Sequence, residues 1–275
     1  IIYLHRRRKR RGNIYIMKQK RTHFLLTDMY RLFTKKGTYL SIIGVALTLF
    51  LSVGNRSDIT DSAIYTLLLS TYKAGFILTF VFCALPYGSV YSDELETYYM
   101  RYAVSRGGLK KYVASKTGII FLSSVLTMGA GSILFSVICT GKLPWIDSQT
   151  YLILEKSGGY AALLKSENYI GWAGLYGIQW GVCGGCLALI SSYLSLYISN
   201  KLFILAMPAL LYQIIIEAGT NTFRKNSMFD PCIIFDARYN IFSSDVKMIA
   251  WALAIGICCC IIFGTATYKK LQKRM

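Results

Sequence analysis

Six stretches of this chain are too apolar to be carried on the surface of a soluble globule: about 38–54, 73–91, 117–139, 171–198, 202–218 and 247–268. A helix needs roughly 20 apolar residues to cross a bilayer's hydrocarbon core, and inside it the backbone must satisfy its own hydrogen bonds. The first run, at 38–54, is short enough to need help from its flanks. With 54% hydrophobic and 16% charged residues in 275, the expected fold is an all-α membrane domain of six spans. Residues 17–275 form a single domain in this reading, and a soluble enzyme globule is excluded by composition.

The spans differ in what they carry. Pro86 should kink the second near one end, because its ring removes a helical hydrogen bond. Residues 55–72 before it read as a polar, mildly amphipathic exit. The third holds Ser123, Ser124, Thr127, Gly129, Gly131, Ser132 and Ser136, small residues that let helices approach. The fourth places Gly177, Gly181 and Gly185 four apart, two overlapping GxxxG motifs that predict a close helix contact on one side. Only three residues, Asn200 and Lys201 among them, separate it from the fifth, which contains Pro208 and, near its end, Glu217. Residues 140–170 and 219–246 read as polar loops on one side, the first with room for a small helix or hairpin.

Thirty-one Lys and Arg against 13 Asp and Glu give a net charge of +18, a balance that in a soluble protein would suggest nucleic acid. Here the basic residues flank the apolar runs, so they report topology, and no nucleic-acid partner is expected. Counted across the six spans, one side holds 22 Lys and Arg and the other nine. The positive-inside rule then puts both termini and the loop between spans two and three in the cytoplasm. Residues 1–16, with Arg6 to Arg11 almost unbroken, are a doubtful basic extension ahead of Met17. They read either as translated leader sequence or as a tail on anionic headgroups, each basic residue there worth about 1 kcal/mol. From Thr22, Leu25, Met29, Leu32 and Phe33 recur at helical spacing, with Asp28, Arg31, Lys35 and Lys36 on other faces, as in an interfacial amphipathic helix.

The cytoplasmic loop, residues 92–116, is the longest basic segment between two apolar runs. Ser92 is a candidate N-cap, Asp93, Glu94 and Glu96 suit the positive end of a helix, and Gly107–Gly108 should break it before Lys110, Lys111 and Lys116 lead into the third span. The result is a bent, solvated elbow. Glu217 is the clearest charge at membrane depth and a candidate for facing a transport path, or a group reaching for interfacial water.

Chemistry-bearing motifs are scarce. Cys83, Cys183, Cys186 and Cys258 to Cys260 fall inside spans as small apolar groups, and the Cys183–Cys186 CxxC has no His or acidic neighbour to suggest metal or redox work. Cys139 and Cys232 have the option of pairing outside. Both histidines, His5 and His23, precede the first span, which disfavours intramembrane metallo- or serine proteases; no catalytic or metal site is expected. Gly159–Ser166 resembles a phosphate loop but lacks the glycine before Lys165. Any nucleotide chemistry belongs to another chain.

Six spans, an amphipathic first helix and an acidic-then-basic elbow resemble the permease subunit of ABC-2 type exporters. The local match is Glu94-Leu95-Glu96-Thr97, then Ser105-Arg106, then Lys116, similar to that family's E-x-E-x-G-T, S-R and K pattern, without the glycine before Thr97 and with Val104 where a proline often stands. The resemblance implies a dimeric permease in a bacterial plasma membrane that exports a peptide antibiotic, another amphiphilic peptide or a drug. It implies a separate cytoplasmic ATP-binding cassette subunit, bearing ATP and Mg, docked on an elbow of Asp93, Glu94, Glu96, Thr97, Arg101, Ser105, Arg106, Lys110 and Lys116. It also brings Phe82, Tyr212, Gln213 and Glu217 near the path between protomers. The rival reading is a stand-alone multi-pass sensor or channel-like scaffold, whose elbow only fixes topology.

Overall fold

A computed structural model describes residues 24–54, 62–198, 200–222, 228–240, 242 and 244–274. Every regular element among them is helical. Five helices are long and apolar enough to cross a membrane: α2 (Lys36–Val53), α7 (Leu109–Thr140), α10 (Tyr169–Leu194), α11 (Lys201–Thr222) and α13 (Asp245–Gln272). The chain is therefore a multi-pass helical membrane protein. The doubtful segment 1–16, Met17 and both histidines lie outside the described residues.

The second span departs from expectation. In place of one helix over 73–91, α3 (Ala63–Tyr72) meets a 3-10 turn (Ala74–Phe76) that continues as α4 (Ile77–Ala84), and the two are bent by 82° at Lys73. Only when the bent pair counts as one do the described residues hold six spans. Residues 62–72 are thus no polar exit. Thr66, Ser70 and Thr71 donate to the carbonyls of Ser62, Leu67 and Leu68 at 2.7–2.8 Å, so their hydroxyls are satisfied within the helix and its polar face can be buried. Ser52 of α2 donates to the Ser70 carbonyl, freed by the bend, at 2.6 Å. Pro86 sits in the turn at residues 85–89, so it ends α4 instead of kinking a longer helix.

α7 is the central column. Its small residues Ser123, Ser124, Thr127, Gly129, Gly131, Ser132 and Ser136 are all buried. A Cβ at Gly131 would run into Val45 of α2, and one at Gly181 of α10 would lie 2.8 Å from the Val125 Cα of α7. Gly177 fits against the Gly129 Cα, 3.0 Å from where its Cβ would be, and Gly185 against Phe121, so the α10 glycine face lies on α7. α11, with Pro208 inside it, and α13 lie outermost; 22% and 17% of their apolar windows are buried. α10 stops at Leu194, which makes its link to α11 longer than the expected three residues.

At one end of the bundle the loop after α7 folds into α8 (Ser148–Ser157) and α9 (Ala161–Lys165). Asp147 accepts from the Thr150 amide at 3.0 Å and from the Ser62 hydroxyl at 2.8 Å, so one carboxylate ties the N-terminus of α8 to that of α3. After α12 (Pro231–Ile234), Asp236 holds Arg238, whose guanidinium lies over the Tyr72 ring. The Cys232 side chain lies outside the described set, and with it the option of pairing with Cys139.

Candidate functional site

The opposite end holds three short elements: α1 (Phe24–Thr34), α5 (Val90–Glu96) and α6 (Tyr99–Gly107). α5 begins at Val90, three residues before the expected start, so Ser92 is a buried residue inside the helix and not its N-cap. Ser89 takes the N-cap place and its hydroxyl donates to Asp93 at 3.0 Å. The elbow turns twice. Tyr98, at φ 56°, separates α5 from α6, and Gly108, at φ 81°, separates α6 from α7. The second turn suits glycine, which tolerates positive φ without a Cβ clash.

The elbow is not solvated along its length. Lys116, in the second turn of α7, is buried and its ammonium meets Asp28 Oδ1 of α1 at 2.9 Å and Glu94 Oε1 of α5 at 2.6 Å. Ser115 donates to Asp28 Oδ2 at 2.8 Å, and the Tyr112 hydroxyl donates to Glu94 Oε2. One lysine thus joins two carboxylates from separate helices, and two α7 hydroxyls complete the set. Isolated charges buried this way would be prohibitive; pairing with full hydrogen bonding makes them tolerable. Tyr87, in the turn before α5, donates to the Asp28 backbone carbonyl at 3.2 Å. Burial first, and then the Asp28 carboxylate, push its phenol up to about 12, so it keeps its proton at neutral pH.

Asp28 departs from expectation: it lies on the inward face of α1, with Leu32 buried one turn on, while Leu25, Leu26, Tyr30 and Phe33 point outward. Arg31 donates to the Tyr99 hydroxyl at 3.2 Å and stacks on its ring, which fastens α1 to α6. Lys35 donates to the Pro86 carbonyl at 2.8 Å.

The remaining elbow residues divide by exposure. Asp93 and Glu96 both reach Lys201 at 2.9 Å, and these exposed pairs contribute little to stability. Thr97 and Ser105 donate to the carbonyls of Asp93 and Tyr102. Tyr98, Arg101, Tyr102, Ser105 and Arg106 are exposed and recur every three or four residues, a basic and aromatic stripe along α6. Lys110 is exposed at the start of α7.

The four transport-path candidates lie on α4 and α11 in different surroundings. Phe82 fills the space over Gly44 of α2, and Tyr212 stacks in a cluster with Phe76, Phe80 and Trp180, its ring 4.4 Å from Phe80. Gln213 and Glu217 are exposed on the outer side of α11. The buried charge that the structure gathers is Asp28, Glu94 and Lys116; Asp28, Tyr112 and Ser115 had no place in the sequence reading of the site. A sequence signal existed: Phe24, Asp28 and Leu32 repeat every four residues, so the carboxylate sits in a row of apolar neighbours.

Among the described residues no three His, Cys, Asp or Glu side chains come together as a metal site. Gly159–Ser166 forms a turn and α9, where Lys165 pairs with Glu155 at 3.1 Å. Comparison with protein-family models, curated proteins and solved structures finds no match to the chain.

Proposed function

We propose that this chain is the membrane-spanning permease subunit of an ATP-driven exporter of the ABC-2 type, acting as a dimer in a bacterial plasma membrane. ATP and Mg belong to a separate cytoplasmic ATP-binding cassette subunit; the cargo is a peptide antibiotic, another amphiphilic peptide or a drug. One observation carries the reading. The elbow is clamped from within by Lys116, Asp28 and Glu94, while α6 and the turn before it hold Tyr98, Arg101, Tyr102, Ser105 and Arg106 exposed. A loop that only fixed topology would need its charges, not a buried ion network and a rigid face. A clamped element with an exposed basic and aromatic stripe is what a partner needs to push on α7 through Lys116. Aromatic and Arg side chains are also the residue types that dominate interface energetics.

The test is co-purification from native membranes, followed by substrate-stimulated ATP hydrolysis. Arg106→Glu and Tyr102→Ala change exposed residues, so stability should move by no more than about 0.5 kcal/mol. Partner retention and stimulated turnover should each fall about tenfold or more, since interface anchors cost 2 kcal/mol or more when truncated. Lys142→Glu, in the loop at the other end, should change neither. Recovery of no ATPase with the wild type, or full coupled turnover in both elbow variants, overturns the exporter in favour of a stand-alone membrane module.

A further inference from the structure

Between α7 and α13, at the elbow end of the bundle, runs an open groove of about 480 Å³. Its floor is small: Ala114 and Gly118 on α7, and Gly264 on α13. A Cβ at Gly118 would meet nothing within 4 Å. Its walls are Val113, Ile257 and Ile261, and Ile257 and Ile261 are more than half exposed. From Tyr268 to Ile257 the α13 wall extends about 16 Å at 1.5 Å per residue, so the groove reaches from the helix end well into the hydrocarbon region. Its mouth is polar, with the exposed Lys110 ammonium and the Tyr268 ring at its rim. Among the described residues no ion pair involves Lys110, whereas Lys116, less than two turns on, has two.

We infer that this groove binds an anionic phospholipid, one acyl chain lying along the α7–α13 cleft and the phosphate at Lys110. The two ends of the groove match the two ends of that ligand: an apolar channel at membrane depth and a single uncompensated cation at headgroup level, beside an aromatic ring of the kind that sits at interfaces. A soluble anion would gain nothing from the apolar channel, and a zwitterionic lipid, whose phosphate is offset by its own choline, less from Lys110 than an anionic one. The bound lipid would lie one helical face away from Lys116, against the base of the same column. The inference does not depend on an ATPase partner.

Native mass spectrometry of the detergent-purified protein, titrated with dioleoyl phosphatidylglycerol or dioleoyl phosphatidylcholine, tests it. The wild type should retain one phosphatidylglycerol in preference to phosphatidylcholine. Lys110→Gln should lower phosphatidylglycerol retention about fivefold, the effect of one basic residue at a membrane surface, and lower phosphatidylcholine retention by less. Gly118→Leu places its side chain in open space, so the fold is kept, and it should reduce retention of both lipids. Lys111→Gln, on the neighbouring exposed residue, is the control for charge alone and should have no effect. Equal retention of both lipids by the wild type, an equal loss in Lys111→Gln, or an intact single-lipid adduct in Gly118→Leu overturns the site.

Discussion

Lys116 is the residue on which the elbow turns, because its removal strands two buried carboxylates that form an ion pair with no other lysine among the described residues. Lys116→Met keeps the volume and deletes the charge, and should cost about 3–5 kcal/mol, the usual penalty for breaking a buried ion pair. Adding Asp28→Asn and Glu94→Gln removes the stranded charges and should recover a large part of that loss. Thermal unfolding of the single, double and triple variants in one detergent checks this. If the triple variant is as unstable as Lys116→Met alone, the loss comes from packing around the methylene stem and the electrostatic account fails. This inverts what the sequence suggests for elbow charges. Glu94 and Glu96 look alike in a list of acidic residues, yet one is buried against lysine and tyrosine and the other is exposed at Lys201.

At the scale of elements, the contact between α7 and α10 is set by glycine. Gly181→Leu has no room, since its Cβ alone would approach the Val125 Cα to 2.8 Å and the Val125 carbonyl oxygen to 2.9 Å, both backbone atoms that cannot turn aside. The variant should lose at least about 1–3 kcal/mol and give less folded protein; wild-type yield and melting temperature would refute the close contact. This interface was legible because glycines four apart define a stripe without reference to a partner. The long helices were legible for the same reason: apolar length needs no tertiary context. α3 was not. Its Thr66, Ser70 and Thr71 look like loop residues until their hydroxyls are seen to bond back within the helix, and its end is ordered by Ser62 with Asp147, 85 residues away. The ion network failed to show for a similar reason, since Asp28 and Lys116 are 88 residues apart and local spacing assigns each to a polar face.

Over the whole molecule the polar ends differ in kind: one is held by Asp147, Asp236 and Arg238, the other by α1, the elbow and the basic residues of α13. The excess of Lys and Arg at the second end predicts that it faces the cytoplasm. In intact cells a membrane-impermeant maleimide should label Lys142→Cys, and should label Ser105→Cys only after permeabilisation; the reverse pattern would invert the topology. The shared lysine has one more consequence. Asp28 and Glu94 compete for the same ammonium, so whatever draws α1 away leaves Lys116 to hold α5 more firmly, and the converse. Two ligands, one touching α1 and one touching α5, would therefore feel each other through a single proton-bearing nitrogen. Thermodynamic reciprocity requires each to change the other's affinity by the same factor, whichever arrives first.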